Sequence, residues 1–402
     1  MQTPPLDGLR VIEGSAFVAA PSGGMTLAQL GADVIRFDQI GGGIDFKRWP
    51  LTAEGESIYW AGLNKGKRSI AVDLRSDRAK ELLTALIADA GTFLTNFPAR
   101  GWMSHESLSQ HCDDLVMLAI TGNRDGSTAL DYTVNCAVGY PTATGPVEGT
   151  EPINHVLPAW DLICGQTAAL GILAADRHRL RTGEGSSMTL ALSDVAFVAV
   201  SALGHVAEAQ INGTERERFG NDIYGAYGTT FTCRDGTVVY AVGISPKQWR
   251  GLLEATDAVD AVAAIETELG VSFRDEGARF AHREAITAAV APWIASHTID
   301  EVAARFDDLG VCWGRYQSFK ELVDRDPRVS LESDLFRNLE QPGIGTYLTP
   351  GSPVAFGGKL PVEPAAAPRL GEHTEQVLAE TLGLSAGEIG ALHDDGVVAS
   401  AS

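Results

Sequence analysis

One carboxylate stands where a chain can use it as a nucleophile. In His155-Val-Leu-Pro-Ala-Trp-Asp161 an extended, proline-containing entry runs into an apolar stretch, 162–175. Gly165, Ala168, Ala169, Gly171, Ala174 and Ala175 make that stretch a thin helix, against which another backbone can lie close. An Asp at such a point is first of all a helix cap, since its side-chain oxygen accepts from an N–H two or three residues on. The same place suits acyl transfer. The positive end of the helix dipole stabilises an anion by about 0.3–1 kcal/mol, and an ionised carboxylate can attack an acyl carbon. At Asp161 the sequence leaves cap and nucleophile both open, and ionisation at neutral pH is expected. His155, upstream of it, is either structural or a group that orients or polarises near Asp161.

A second group of residues points to an anionic ligand. Residues 9–13, 22–30 and 32–37 read as strand, helix and strand, a βαβ unit that implies a parallel α/β sheet. Further strands are expected at 92–97, 115–120 and 187–191, with a helix over 79–90. The basic loop Asn64-Lys65-Gly-Lys67-Arg68 also runs into a strand, leaving at Arg75. In such sheets ligands bind outside the carboxyl ends of the strands. Arg36, Arg75, Asn96 and Arg100 fall at these ends. The first loop carries no GxGxxG, so a nicotinamide or flavin site has no fingerprint. Gly41-Gly-Gly43, followed by Lys47 and Arg48, offers backbone N–H groups and charge to an anion, although most such runs are only turns.

Composition narrows the class. The 402 residues are 45% hydrophobic and carry a net charge of −21, which argues against a nucleic-acid or anionic-membrane surface. The first hundred residues hold eleven basic and eleven acidic side chains, so the whole excess lies in the remainder. Five scattered cysteines without a CxxC pair suit a reducing cytoplasm rather than a disulfide framework or a zinc site. No basic, apolar leader is visible, and no apolar run is long enough to span a bilayer. Beyond residue 213 the pattern changes to a hairpin around Arg234-Asp-Gly236, then helices over 247–255, 258–269, 276–296 and 299–309. A long helix is expected over 194–208 and a closing helix pair at 372–382 and 386–393. The expected domains are therefore 1–212, a smaller α+β domain over 213–330, and a return segment, 331–402, completing the first.

With these segments in order, the chain resembles the class III CoA-transferase family. The resemblance rests on Leu30-Gly31-Ala-Asp-Val-Ile35, Asn64-Lys65-Gly-Lys67-Arg68-Ser69, Asn96-Phe97, Gly171-Ile-Leu-Ala-Ala175 with Arg181-Thr-Gly-Glu-Gly185, and Ala367-Pro-Arg-Leu-Gly371-Glu-His-Thr374. It implies a Rossmann-like large domain formed by both termini, a smaller inserted domain, and an interlocked homodimer in the cytoplasm. An acyl-CoA is the implied substrate, with CoA as part of it and no permanently bound cofactor or metal. The family's CoA contacts map onto Arg36, Val72, Asp73, Leu74, Arg75, Asn96, Phe97 and Arg100, and its catalytic Asp onto Asp161. Glu13–Pro21 and His155–Asp161 look most like the members that move CoA between the two carboxyls of a C5 unsaturated diacid. Arg48 is then the expected partner of the free carboxylate, since a guanidinium binds it bidentately. An intermolecular CoA transferase, a racemase and a non-catalytic acyl-CoA binder are the competing readings. The racemase is disfavoured because Leu130 occupies the position of its proton-transferring His, and Leu is neither acid nor base. No clear counterpart of the family's glycine-run closing loop is found in 220–260, where Tyr224-Gly-Ala-Tyr-Gly228 stands.

Overall fold

The computed structural model describes residues 3–401; Met1, Gln2 and Ser402, which the expected domain bounds include, lie outside the described residues. The chain forms two compact units. The larger comprises Met1–Val138, His155–Gly213 and Asp326–Ser402, and the smaller Gly139–Asn154 and Thr214–Arg325. Grouping Gly139–Asn154 with the smaller unit departs from the expected bounds. Its anchor is Arg218, whose guanidinium donates to the carbonyls of Thr142 and Glu151.

In the larger unit, short apolar runs form six parallel strands: β1 (Arg10–Gly14), β2 (Asp33–Gln39), β3 (Arg68–Val72), β4 (Thr92–Thr95), β5 (Val116–Thr121) and β6 (Ser186–Ala191). A seventh, Val398–Ala399, pairs antiparallel with β3. The order across the sheet is Val398–Ala399, β3, β2, β1, β4, β5, β6. Successive strands are laid first to one side of β1 and then to the other. The order therefore reverses between β1 and β4, and their carboxyl ends flank the crevice where open α/β sheets bind ligands.

The helices that bear on the site are α1 (Ala19–Gln29), α2 (Ile58–Leu63), α3 (Asp77–Ala90), α4 (Asp131–Cys136), α5 (Ala159–Thr182), α6 (Leu192–Ala202) and α7 (His205–Asn212). Local chemistry sets several of their ends. Ser76 caps α3 by accepting from the Ala79 N–H, and Gly91 ends it in the left-handed region at φ 62°. The single helix expected over 194–208 is instead α6 and α7, turned by 61° where Gly204 takes φ 82°. That expected over 276–296 also divides, at His282. No single helix among the described residues is long and apolar enough to cross a membrane.

The carboxyl-terminal segment completes the core of the larger unit. Val377, Leu378, Ile389 and Leu392 are buried with Leu82, Leu86, Phe93 and Met117 on one face of the sheet. The smaller unit has its own core, built around Phe231, Trp249, Phe273, Ile286 and Phe306. Its strands Gly228–Thr232, Val238–Val242 and Cys312–Arg315 make an antiparallel sheet, the third strand being additional to the expected hairpin.

Candidate active site

Helix α5 begins at Ala159, so Asp161 is not its cap. The cap position is Pro158, which offers no side-chain hydrogen bond, and Asp161 lies inside the first turn. The turn is held from outside: the Asp161 N–H donates to Asp131 Oδ2 of α4 at 3.0 Å. Next to it, Trp160 is buried, and its indole N–H donates to Asn135 Oδ1 at 3.0 Å. Two groups on α4 thus fix two consecutive residues of α5.

The other face of α5 meets α1 with almost no side chain between them. A Cβ built on Gly165 would lie 2.6 Å from the Ala19 carbonyl oxygen, and one on Gly23 would lie 2.9 Å from that of Gly165. Both glycines are needed for this approach. Because α1 follows directly from the β1 exit loop, the packing ties α5 to the crevice between β1 and β4.

That exit loop is itself tightly held. Asn96, at the end of β4, accepts from the Ala16 N–H at 2.9 Å and donates to the Ala16 carbonyl at 2.7 Å. The Phe17 N–H donates to Asp45 Oδ2 at 2.9 Å. Phe17 has φ 65°, a conformation that costs an L-residue energy and persists only where its surroundings enforce it. Its ring lies 5.4 Å from the Arg48 guanidinium, and the Tyr59 ring lies 5.4 Å away as well. Both aromatic contacts suit a cation. The Arg48 guanidinium makes no ion pair among the described residues. Tyr59 is half-buried, and burial pushes its phenol up to about 12, so it remains a donor at neutral pH.

Asp161 senses these neighbours. Burial raises its pKa to about 7, the negative charge of Asp131 pushes the same way, and Arg48 opposes both. This corrects the expectation of a carboxylate fully ionised at neutral pH, because the helix dipole is outweighed by desolvation. Cys164, one turn along, is buried, and its thiol is pushed up to about 12. It stays protonated and does not compete as a nucleophile.

The residues expected at the strand ends have separate fates. Arg36 is 1% exposed, so it is no open strand-end cation. Its guanidinium donates to both oxygens of Asp38 at 2.8 Å, to Asn64 at 3.2 Å and to Asp45 at 3.4 Å. Beside it the Lys67 ammonium donates to Glu13 at 2.8 Å and to Asn64 at 2.9 Å. The network places Asp45 under Phe17, so Arg36 supports the β1 exit loop from within. Val72 is buried and paired with Val398, and the Asp73 N–H donates to the Val397 carbonyl. Leu74 is half-buried, and Arg75 is exposed, with Asp73 as its side-chain partner among the described residues. Phe97 packs edge-on against Phe37, and Arg100 is exposed. His155 is half-buried, and its Nδ1 is buried without a hydrogen-bond partner; none joins it to Asp161.

A cleft of about 960 Å³ opens beside the carboxyl ends of β2 and β3, lined among others by Gly41, Lys47, Trp60, Ala71 and Arg369. Asp161 does not line it, so the cleft and the carboxylate are separate features of the larger unit. Asp131 and Tyr59 were not singled out by sequence reasoning as partners of Asp161. Neither carries a local motif signal that points to Asp161.

The parallel α/β sheet agrees with a family assignment. The chain belongs to CoA-transferase family III, whose model matches residues 6–374, and is an enzyme of that family. Over 401 aligned residues it is 53% identical to the 2-methylfumaryl-CoA isomerase of Chloroflexus aurantiacus, with 98% of each chain covered. It is 30% identical to the succinyl-CoA:mesaconate CoA-transferase of Haloarcula hispanica, over 93% of this chain and 96% of that one. Among solved structures, a CaiB/BaiF family protein from Brucella suis matches with a TM-score of 0.74 at 25% identity, covering 94% of this chain and 100% of that chain.

Proposed function

We propose that this enzyme moves CoA between the two carboxyls of a C5 unsaturated diacid, converting mesaconyl-C1-CoA to mesaconyl-C4-CoA, with Asp161 as the acyl carrier. One observation carries the reading: a half-buried carboxylate on the first turn of α5 lies within the field of the Arg48 guanidinium, which makes no ion pair among the described residues. The first group suits attack on a thioester, and the second suits the diacid's free end. Identity of 53% to a 2-methylfumaryl-CoA isomerase supports the choice of acyl group.

The Asp161 carboxylate attacks the thioester carbonyl, and the tetrahedral intermediate expels CoA thiolate to leave a mixed anhydride. The thiolate then attacks the Asp161 acyl carbon, forming an aspartyl-CoA thioester and freeing mesaconate. Mesaconate turns, and its other carboxylate attacks that thioester, again giving an anhydride and thiolate. Attack of the thiolate on the mesaconyl carbonyl releases the isomer and restores Asp161. Every step exchanges one acyl bond for another, so no electrons are transferred. The CoA chain is proposed to follow the carboxyl edge of the sheet past Asp73, Leu74, Arg75, Phe97 and Arg100, with Arg36, Val72 and Asn96 shaping that edge from below.

A second reading, transfer to a separate acid, is favoured by the 30% identity to a succinyl-CoA:mesaconate CoA-transferase. Labelled external mesaconate separates the two. The isomerase reading expects product CoA ester carrying little label, whereas extensive label establishes intermolecular transfer. Asp161→Ala is expected to abolish turnover together with the enzyme-bound acyl group that hydroxylamine traps. A variant that still turns over ends the Asp161 reading.

A further inference from the structure

The first turn of α5 is satisfied in an unusual way. A helix leaves its first N–H groups without internal partners, and Pro158 supplies no cap. Asp131 Oδ2 takes the Asp161 N–H instead, from a side chain that is 2% exposed. Its other oxygen, Oδ1, is also buried and accepts no hydrogen bond. A neutral Asn accepts from the same N–H without placing a half-satisfied carboxylate beside a second one, and buried polar groups left unpaired call for an explanation. The geometry of the cap therefore accounts for an oxygen at this place but not for its charge.

The charge has an effect on the reaction. Around Asp161 stand Asp131 from α4, Arg48 from the loop after β2, Tyr59 from α2, and Cys164 from its own helix. Among the described residues, Asp131 is the one whose like charge acts on Asp161. Repulsion between the two carboxylates acts on free Asp161 and is relieved when Asp161 becomes a neutral anhydride or thioester. A carboxylate raised in this way is the more basic, and so the stronger, nucleophile.

We infer that Asp131 is a positioning residue for the transfer: it caps the helix that carries Asp161, and its charge drives Asp161 toward the acylated state. This rests on the reading of Asp161 as the acyl carrier. The tendency of Asp161 to hold its proton up to about pH 7 agrees with it.

The test is the pH profile of Asp131→Asn, which keeps the acceptor and removes the charge. The acid limb of kcat/KM is expected to move down by about one pH unit, and turnover at pH 8 to fall about tenfold, with Tm at pH 8 no lower than that of wild type. A cap without electrostatic influence leaves the limb in place, and that result overturns the proposal. Should the Asn variant not fold, Asp131→Ser also offers an uncharged acceptor, and the same displacement is expected of it. Asp161→Asn is measured alongside. If it retains turnover, the acyl-carrier reading itself has failed; if it is inactive while Asp131→Asn keeps the wild-type limb, only the role given to Asp131 has failed.

Discussion

Asp161 is held less comfortably as an anion in the folded chain than in the unfolded one, and this has a measurable consequence. Its pKa rises from 3.8 to about 7, so between those values the folded state binds the proton that the unfolded state has released. Its contribution to stability therefore falls as pH climbs through that window, and above about pH 7 the whole cost is present. Asp161→Asn removes the cost. The variant is expected to melt a few degrees above wild type at pH 8, with the gap closing toward pH 4. Thermal melts at the two pH values decide the matter, and equal melting temperatures at pH 8 contradict the assignment. Such a trade of stability for a reactive group is common at active sites. The buried Glu13, Arg36, Asp38, Asp45 and Lys67 set behaves differently. There each charge has partners within the chain, and its product is the fixed loop under Phe17.

The helix pair α1 and α5 positions the carboxylate, and it depends on residues that lack side chains. Gly165→Val places branched atoms where a single Cβ already meets the Ala19 carbonyl and the Ser22 hydroxyl. Because backbone must yield, the change is expected to cost about 3 kcal/mol and to lower kcat further by shifting the first turn. Denaturant unfolding with a parallel activity assay checks both, and a Gly165→Val enzyme of native stability refutes the close packing. The thinness of α5 was legible in the sequence because it is written in closely spaced small residues. The same holds for the β1–α1–β2 unit, whose periods and turns are local. The partners of Asp161 were not legible. Asp131 lies thirty residues away and meets it only through the packing of α4 on α5. The approach of Arg48 to Phe17 and Tyr59 depends on a left-handed residue that no composition rule places at a Phe. The depth of Arg36 was hidden for a related reason. The βαβ pattern puts it on β2, yet whether a strand arginine reaches solvent or an interior carboxylate depends on Asp38 and Asp45 folding back over it.

In the larger unit, α5, α6, α7 and the turn joining the last two leave large apolar side chains uncovered. Leu170 is 68% exposed, Val198 67%, Leu203 68% and Ile211 82%. Single exposed apolar residues are ordinary, but several on consecutive helices suit a surface for another protein. The occupant proposed is a second copy of this chain, in keeping with the homodimer that the family resemblance implies. Light scattering is expected to give twice the 42.6 kDa of one chain at micromolar concentration. Interlocking makes a further demand that ordinary association does not: chains wound through one another cannot separate without unfolding. Two differently tagged dimers, mixed and incubated for hours, are therefore expected to form no mixed species until they are denatured and refolded together. A single-chain mass removes the dimer. A dimer that exchanges freely under native conditions keeps the interface but removes the interlocking, since an open interface exchanges subunits at its dissociation rate.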